Sequence, residues 1–368
     1  MAQESVSRTK ELIIKIQNAM HAGALPCSGI PIEDIKSCVR GELNVHENTF
    51  TAAQFQELGI RFNSFSSRIT DGETDASKID MFIDGMLICL ETVSEAVCSL
   101  ADRKYWSLIH TSRLNDPEVS EIIDFVDRRH DVRLLPYDFV DNYMNTPCEV
   151  GYDPECGMHF VPYKNRRMYF PAFWDEERIS SYFQALMAEQ DPYSPHSYQK
   201  EGFNIPDNAV IADVGAAEGF FSMDQIDNAK HIYIMDADRD WIRALQQTFK
   251  NDMDKVDIIF GYVGSESDGD ENITLDETFS DVPIDYIKMD IEGYEKSALI
   301  GAKNILSNND ITCAICTYHC REDEKWVTEY LSSLGYTTAH SRGYMCPDWT
   351  VESRLNAELR RGVVFGRK

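Results

Sequence analysis

From Gly202 onward the chain alternates short apolar runs with stretches of helical spacing. That order of strand, helix, strand, helix predicts an open parallel sheet flanked by helices. The apolar runs fall at 209–214, 231–236, 256–263, 284–290 and 311–319. Between them Trp241, Ile242, Leu245 and Phe249 recur at helical spacing, as do Ala298, Leu299, Ala302, Ile305 and Leu306. A further helix carries Trp326, Val327, Tyr330, Leu331 and Leu334 and stops at Gly335. Residues 336–339 and 362–366 read as a closing pair of strands.

The first part of the chain has another rhythm. Segments 12–20, 55–65, 79–100 and 119–126 read as helices, and the longest sets Met86, Leu90, Val93, Val97 and Leu100 at heptad-like spacing. These predict a helical accessory domain with its own core; the sharper alternative is a homodimerisation element. Alternating positions in 158–172 around Lys164-Asn165 predict a β-hairpin. Residues 174–198, ending in the Pro-fixed turn Ser194-Pro195-His196-Ser197-Tyr198, lead into the first strand. That lead-in either folds over a ligand at the strand ends or is a plain linker. The expected division is 1–150 for the helical domain, 151–203 for hairpin and lead-in, and 204–368 for the α/β domain.

The run Asp213-Val214-Gly215-Ala216-Ala217-Glu218-Gly219-Phe220 delivers the first strand into a glycine-spaced turn and a helix. A dinucleotide site needs glycines at the first, third and sixth positions of such a turn to close on a pyrophosphate. Here Gly215 fills the first, but Ala217 and Phe220 fill the others, and Glu218 brings negative charge. A nicotinamide-dependent oxidoreductase is therefore disfavoured. A ligand without phosphate and with positive groups suits this helix start, and S-adenosyl-L-methionine has that chemistry. Asp236 ends the second strand just over twenty residues beyond Asp213, where a carboxylate grips ribose hydroxyls. Its alternative role, capping the next helix, falls more naturally to Asp238.

These pieces resemble the FkbM family of S-adenosylmethionine-dependent methyltransferases. The first motif is shared by most methyltransferases of Rossmann-like fold. The specific one is Asp285-Tyr286-Ile287-Lys288-Met289-Asp290-Ile291-Glu292-Gly293-Tyr294-Glu295, with Thr274-Leu275-Asp276 before it and His319 ending the next strand. Ala217 departs from the asparagine usual in the family. The resemblance spans roughly residues 200–368. It implies a Rossmann-like class I methyltransferase sheet, mostly parallel with an antiparallel C-terminal hairpin at the edge. It also implies methylation of a hydroxyl on a sugar or other hydroxylated metabolite. The expected cofactor-binding residues are Asp213, Gly215, Ala216, Ala217, Glu218, Gly219, Phe220, Asp236, Ala237, Val263 and Asp290.

Ligands of open parallel sheets gather at the C-terminal strand ends, which here carry Asp213, Asp236, Val263, Asp290 and His319. An alcohol is a weak nucleophile, and His is the side chain whose ordinary pKa suits proton removal near neutrality. His319 is thus the first candidate for general base, a merely polar strand end being the alternative. Asp290 has three uses open to it: orienting that imidazole, binding a substrate hydroxyl, or touching the cofactor's methionine moiety. Lys288 is either catalytic or half of a structural ion pair, with Asp290 or Glu292 as the expected partner. A non-catalytic methyltransferase fold serving as a binding module is the second functional reading, and the intact acids at two strand ends argue against it.

A formal net charge of −27 argues against a nucleic-acid backbone or an anionic membrane surface as partner. No apolar run reaches the length of a membrane span, and a cytoplasmic location is expected. Cys313, Cys316, His319 and Cys320 imitate a zinc cluster in sequence, but an apolar strand without a turn between the cysteines speaks for core residues and no metal.

Overall fold

The computed structural model describes residues 116–129, 133–347 and 358–368. The chain divides into two compact units, residues 1–134 with 346–358 and residues 135–345 with 359–368. In the first, helix α1 (Pro117–Arg129) buries Val119, Ile122, Ile123 and Val126, an i, i+3, i+4, i+7 stripe. The helices expected at 12–20, 55–65 and 79–100 lie outside the described residues.

The second unit opens with a short helix, α2 (Asp141–Met144), and an antiparallel sheet of β1 (Gly151–Asp153), β2 (Met158–Tyr163) and β3 (Arg166–Tyr169). Lys164 and Asn165 join β2 to β3 with φ of 45° and 63°. Two consecutive left-handed residues match the twist of the flanking strands, so this hairpin forms as its sequence predicts. Helix α3 (Glu176–Glu189) follows, with Asp175 accepting the Arg178 amide at 2.8 Å as its cap.

The main sheet then builds in chain order through β4 (Val210–Val214), α4 (Phe220–Gln225), β5 (His231–Asp236), α5 (Arg239–Thr248) and β6 (Val256–Phe260). A small excursion, β7 (Tyr262–Val263) paired with β8 (Asn272–Ile273), leads to α6 (Leu275–Thr278). The chain completes with β9 (Tyr286–Met289), α7 (Glu295–Ile300), α8 (Lys303–Asn308), β10 (Thr312–Cys316), α9 (Asp323–Ser333), β11 (Thr337–His340) and β12 (Val363–Arg367). Seven strands lie in the order β11-β12-β10-β9-β4-β5-β6. Only β12 runs against its neighbours: it pairs antiparallel with both β10 and β11. This is the Rossmann-like methyltransferase sheet with its antiparallel C-terminal pair.

Every residue of β4, β9 and β10 is buried, as central strands covered on both faces require. Alternation sends Ile211 to one face, with Phe220, Leu245 and Phe249, and Val210, Ala212 and Val214 to the other, with Leu299, Leu306 and Leu331. Phe249 has no exposed surface, and truncating it to Ala costs about 3–5 kcal/mol. The small sheet docks on the same face as Phe249: the Tyr169 amide donates to Thr248 Oγ1 at 3.0 Å, and Trp174 meets Trp241 edge-on at 5.2 Å.

Three sequence expectations are corrected. The strand expected over 311–319 ends at Cys316, so His319 sits in the loop that follows it. The third strand, expected over 256–263, is two: β6 ends at Phe260 and, past Gly261, Tyr262–Val263 pairs with β8 instead of β5. The single helix expected after β9 is two, broken where Gly301 presses against Gly264; a Cβ there would stand 2.0 Å from the Gly264 carbonyl oxygen. Asp276 bridges the break by accepting the Asn304 and Ile305 amides at 2.9 and 2.8 Å, while Thr274 caps α6. The Thr274-Leu275-Asp276 motif thus caps two helices.

Candidate active site

Gly215 leaves β4 with φ of +76°, and a Cβ there would lie 1.8 Å from the Asp290 carbonyl oxygen. Only glycine lets the β4–α4 turn approach the end of β9 this closely. The turn is held from the other side as well. Gly215 and Ala216 donate amides to Met235 O, and Ala217, at φ +48°, donates to Asp236 Oδ2 at 2.8 Å. Asp236 Oδ1 accepts the Asp238 amide at 2.7 Å, and Asp238 itself caps α5. Asp236 therefore organises the turn through both oxygens and also lines a cleft beside it.

That cleft, about 520 Å³, opens at the C-terminal ends of β4, β5 and β6. Gly215, Asp236, Ala237 and Val263 line it as the sequence predicts; Gly261, Tyr262, Gly264–Asp268, Asn272, Ile291, Tyr294 and Ser297 line it without having been foreseen. Its lining holds Asp236, Glu266 and Asp268 but no lysine or arginine. A pyrophosphate finds no counter-charge here, whereas a sulfonium and an ammonium do.

The other expected cofactor residues sit behind this wall. Asp213 has no exposed surface: Lys288 Nζ stands 3.0 Å from its Oδ1, and Ser222 donates to its Oδ2 at 2.6 Å. Asp213 thus supports the turn from beneath instead of facing the cleft. Ala216 and Phe220 are buried, Phe220 against the Tyr163 ring at 4.9 Å. A Cβ on Gly219 would strike Leu245 at 2.7 Å. Glu218 is buried and accepts the Tyr182 hydroxyl at 2.7 Å; burial pushes its carboxyl up to about 7.

Lys288 corrects a further expectation. Its partner is Asp213, its register neighbour on β4, and not Asp290 or Glu292. Its ammonium also donates to Gly215 O at 2.5 Å and lies 5.3 Å from the Tyr198 ring centre. Burial works against this charge, but Asp213 and Asp290 outweigh it and hold the ammonium's pKa above its ordinary value. A cation so enclosed is a strut between β9 and the β4–α4 turn.

At the tips of β9 and β10 a polar cluster converges on Asp290. Its Oδ2 accepts the Tyr198 hydroxyl at 2.7 Å and faces His196 Nε2 at 3.3 Å; its Oδ1 faces His319 Nε2 at 3.5 Å. The lead-in segment therefore covers this strand end, through His196 and Tyr198, which the sequence marked only as one of two alternatives. His196 is buried, with Glu189 Oε2 at 3.6 Å from its Nδ1. Burial disfavours both the Asp290 carboxylate and the His196 imidazolium, yet their mutual contact wins, holding Asp290 low and His196 high. His319 is likewise raised: burial opposes its charge, and Glu295, Asp290 and Glu292 overcome it. Arg360 donates to the carbonyls of Tyr318 and His319 at 2.8 and 2.6 Å, which fixes the backbone that carries the imidazole. Glu295, which the sequence marks only as the last residue of the Asp285–Glu295 motif, places its Oε1 3.0 Å from His319 Nδ1. His196, Asp290 and Cys316, and also Asp290, Glu295 and His319, gather within a metal-sized radius, so the shared Asp290 is the centre of both groups.

Residues 156–345, just over half of the chain, match the methyltransferase FkbM domain. No curated protein matches the sequence. Among solved structures the chain is similar to methyltransferase FkbM from Methylobacillus flagellatus, at 20% identity over 52% of this chain and 55% of that one, with a TM-score of 0.39. The match thus spans little more than half of that chain's length. A SAM-dependent methyltransferase from Aquifex aeolicus is similar at 16% identity over 53% and 97% of the two chains, TM-score 0.33. TrmK from M. capricolum, solved with S-adenosylhomocysteine, is similar at 12% identity over 43% and 60%, TM-score 0.29. S-adenosylmethionine is the cofactor of such domains, and the acid-lined, phosphate-averse cleft fits it. With a domain match over more than half its length, the chain belongs to the FkbM methyltransferase family.

Proposed function

We propose that this protein transfers a methyl group from S-adenosylmethionine to a hydroxyl of a sugar or other hydroxylated metabolite. The observation that carries this reading is the adjacency of two different environments. A cleft without cations meets, across Gly215 and Ile291, a polar cluster of Asp290 and His319. Gly215, which lines the cleft, lies directly against the Asp290 carbonyl.

When bound, the cofactor supplies a methyl carbon made electrophilic by its sulfonium. Asp236 is placed to accept ribose hydroxyls, and the Gly215–Gly219 turn supplies the close backbone approach. Asp290 accepts a hydrogen bond from, or orients, the acceptor hydroxyl, and His319 takes its proton as the oxygen–carbon bond forms and the carbon–sulfur electron pair stays with the departing thioether. Positioning supplies the rest of the rate. Lys288 holds the turn and strand in register without touching the reacting atoms.

The proposal extends to the whole chain as a helical accessory domain (1–150), a connecting hairpin and lead-in (151–203) and a methyltransferase domain (204–368), acting in the cytoplasm, with the N-terminal helices available for homodimerisation. No described helix is long and apolar enough to cross a membrane. The test is a survey of sugars, glycosides and polyols with radiolabelled S-adenosylmethionine, comparing wild type with His319→Ala. Methyl transfer to hydroxyls that falls at least a hundredfold in the variant supports the reading; transfer confined to amines, or undiminished in the variant, contradicts it.

A further inference from the structure

We propose that Glu295 is the positioning residue for His319: it fixes the imidazole's orientation and keeps a proton on Nδ1, so that Nε2 is the nitrogen offered to an acceptor hydroxyl. The inference rests on the reading of His319 as base and adds a residue whose role that reading left undefined.

Glu295 begins α7 and has no exposed surface. Its Oε1 accepts the amides of Ile291 and Gly293, at 2.9 and 3.3 Å, and lies 3.0 Å from His319 Nδ1. The two amides point inward because Glu292 and Gly293 both take left-handed conformations, φ 56° and 94°. A carboxylate gripped by two backbone donors cannot swing away from the ring, so its oxygen stays the nearest carboxylate oxygen to the imidazole, on the Nδ1 side. On the other side Nε2 faces Asp290 Oδ1 and Glu292 Oε2, each at 3.5 Å, too long for a strong hydrogen bond. Asp290 Oδ1, Glu295 Oε2 and both ring nitrogens of His319 are buried without an aligned hydrogen bond, so the Glu295–His319 approach is an ionic contact. The asymmetry is one of distance: a held carboxylate oxygen 3.0 Å from Nδ1, and none closer than 3.5 Å to Nε2. The spacing of the Glu292-Gly293-Tyr294-Glu295 turn then has a chemical reason. One side chain both shapes the strand-to-helix turn and lies against a histidine from the loop after β10.

The charged and titratable groups around the ring are Asp290 from the end of β9, Glu292 from the turn, Glu295 from α7 and, across Asp290, His196 from the lead-in; Tyr318 lies against it with ring centres 4.0 Å apart. Three carboxylates against one imidazole favour its protonated form. Removing the Glu295 charge therefore lowers the imidazole's pKa, while a side chain that merely shaped the turn leaves it in place.

The experiment is nitrogen-15 NMR of histidine-labelled full-length protein saturated with S-adenosylhomocysteine, the His319 signals being assigned by their loss in His319→Gln. Wild type is expected to show the Nδ1–H tautomer when neutral. Glu295→Gln, which keeps an amide oxygen for the backbone donors, lowers the His319 pKa by about one unit, and Glu295→Leu shifts neutral His319 toward the Nε2–H tautomer. An unchanged pKa in Glu295→Gln, or an Nε2–H tautomer in wild type, overturns the proposal whatever His319→Ala does to methyl transfer. If the NMR results hold but His319→Ala transfers methyl groups normally, the base reading fails and the pair survives as structure only. Broadening of the His319 signals by micromolar Mn²⁺ makes the cluster a cation site and also overturns the proposal.

Discussion

Lys288 and Asp213 are register neighbours on β9 and β4, with Nζ 3.0 Å from Oδ1 and almost no solvent at either side chain. The pair ties the strand that ends in Asp290 to the strand that feeds the Gly215 turn. Removing only the cation leaves a buried carboxylate uncompensated and takes a donor from Gly215 O. Lys288→Met is expected to destabilise the protein by about 3–5 kcal/mol in urea unfolding. A loss below about 0.5 kcal/mol, the scale of ordinary surface changes, contradicts the strut.

Two glycines with similar φ give a controlled comparison. Gly202, at +85°, has nothing within 4 Å of where a Cβ would stand, whereas Gly215, at +76°, has the Asp290 carbonyl at 1.8 Å. Gly202→Ala is expected to cost about 1 kcal/mol and leave S-adenosylhomocysteine binding intact. Gly215→Ala is expected to abolish binding measured by calorimetry. Equal effects from the two changes contradict the close approach of turn and strand.

Glu218 sets a pH dependence. Its carboxyl is pushed from 4.5 up to about 7 by burial, so between those values the folded state holds a proton that the unfolded state has lost. Stability from this group therefore falls as pH rises from 4.5 to 7 and stays lowered above it. Glu218→Gln, which still accepts the Tyr182 hydroxyl, is expected to raise stability at pH 8 by up to ~3 kcal/mol and to change nothing below about pH 4.5. Unfolding curves at the two pH values check this, and a gain of equal size at both contradicts it.

The His196–Asp290 contact has the opposite flank. Asp290 is held below its ordinary value, so its contribution is present above pH 3.8 and fades as pH falls through the folded value. His196 is held above 6.5, so its contribution is present below that pH and is lost as pH rises through the folded value. The pair is strongest between, and His196→Gln is expected to remove part of the stability lost by wild type on the alkaline side of pH 6.5. A variant that retains the wild-type slope there removes His196 as its cause.

The sheet was legible because its central strands are buried on both faces and so read as unbroken apolar runs. The Gly215 turn and Asp236 were legible because backbone reversal and a strand-end acid leave local marks. What the sequence hid depends on register and on distance along the chain. Lys288 looked toward Asp290, two residues on, whereas a parallel register sets Asp213 beside it. His196 and Tyr198 reach Asp290 from over ninety positions away, and no periodicity announces such a meeting. Glu295 was hidden differently: its sequence position suits a helix start, and only the fold shows that the same oxygen meets His319. The cleft wall from Gly261 to Asp268 was read as a strand end and a polar excursion with only Val263 marked for the ligand, because the break at Gly261 that moves pairing from β5 to β8 falls inside a largely apolar run.

The central claim is that the acid-lined cleft beside Gly215 holds S-adenosylmethionine through Asp236. Calorimetry with S-adenosylmethionine, S-adenosylhomocysteine and NAD on wild type and Asp236→Ala tests it most directly. Binding of the first two, no binding of NAD, and a loss of about 1.5–3 kcal/mol in the variant, the value of hydrogen bonds to a charged group, are the predicted results. Binding of NAD alone, or S-adenosylhomocysteine binding that Asp236→Ala leaves unchanged, contradicts the account.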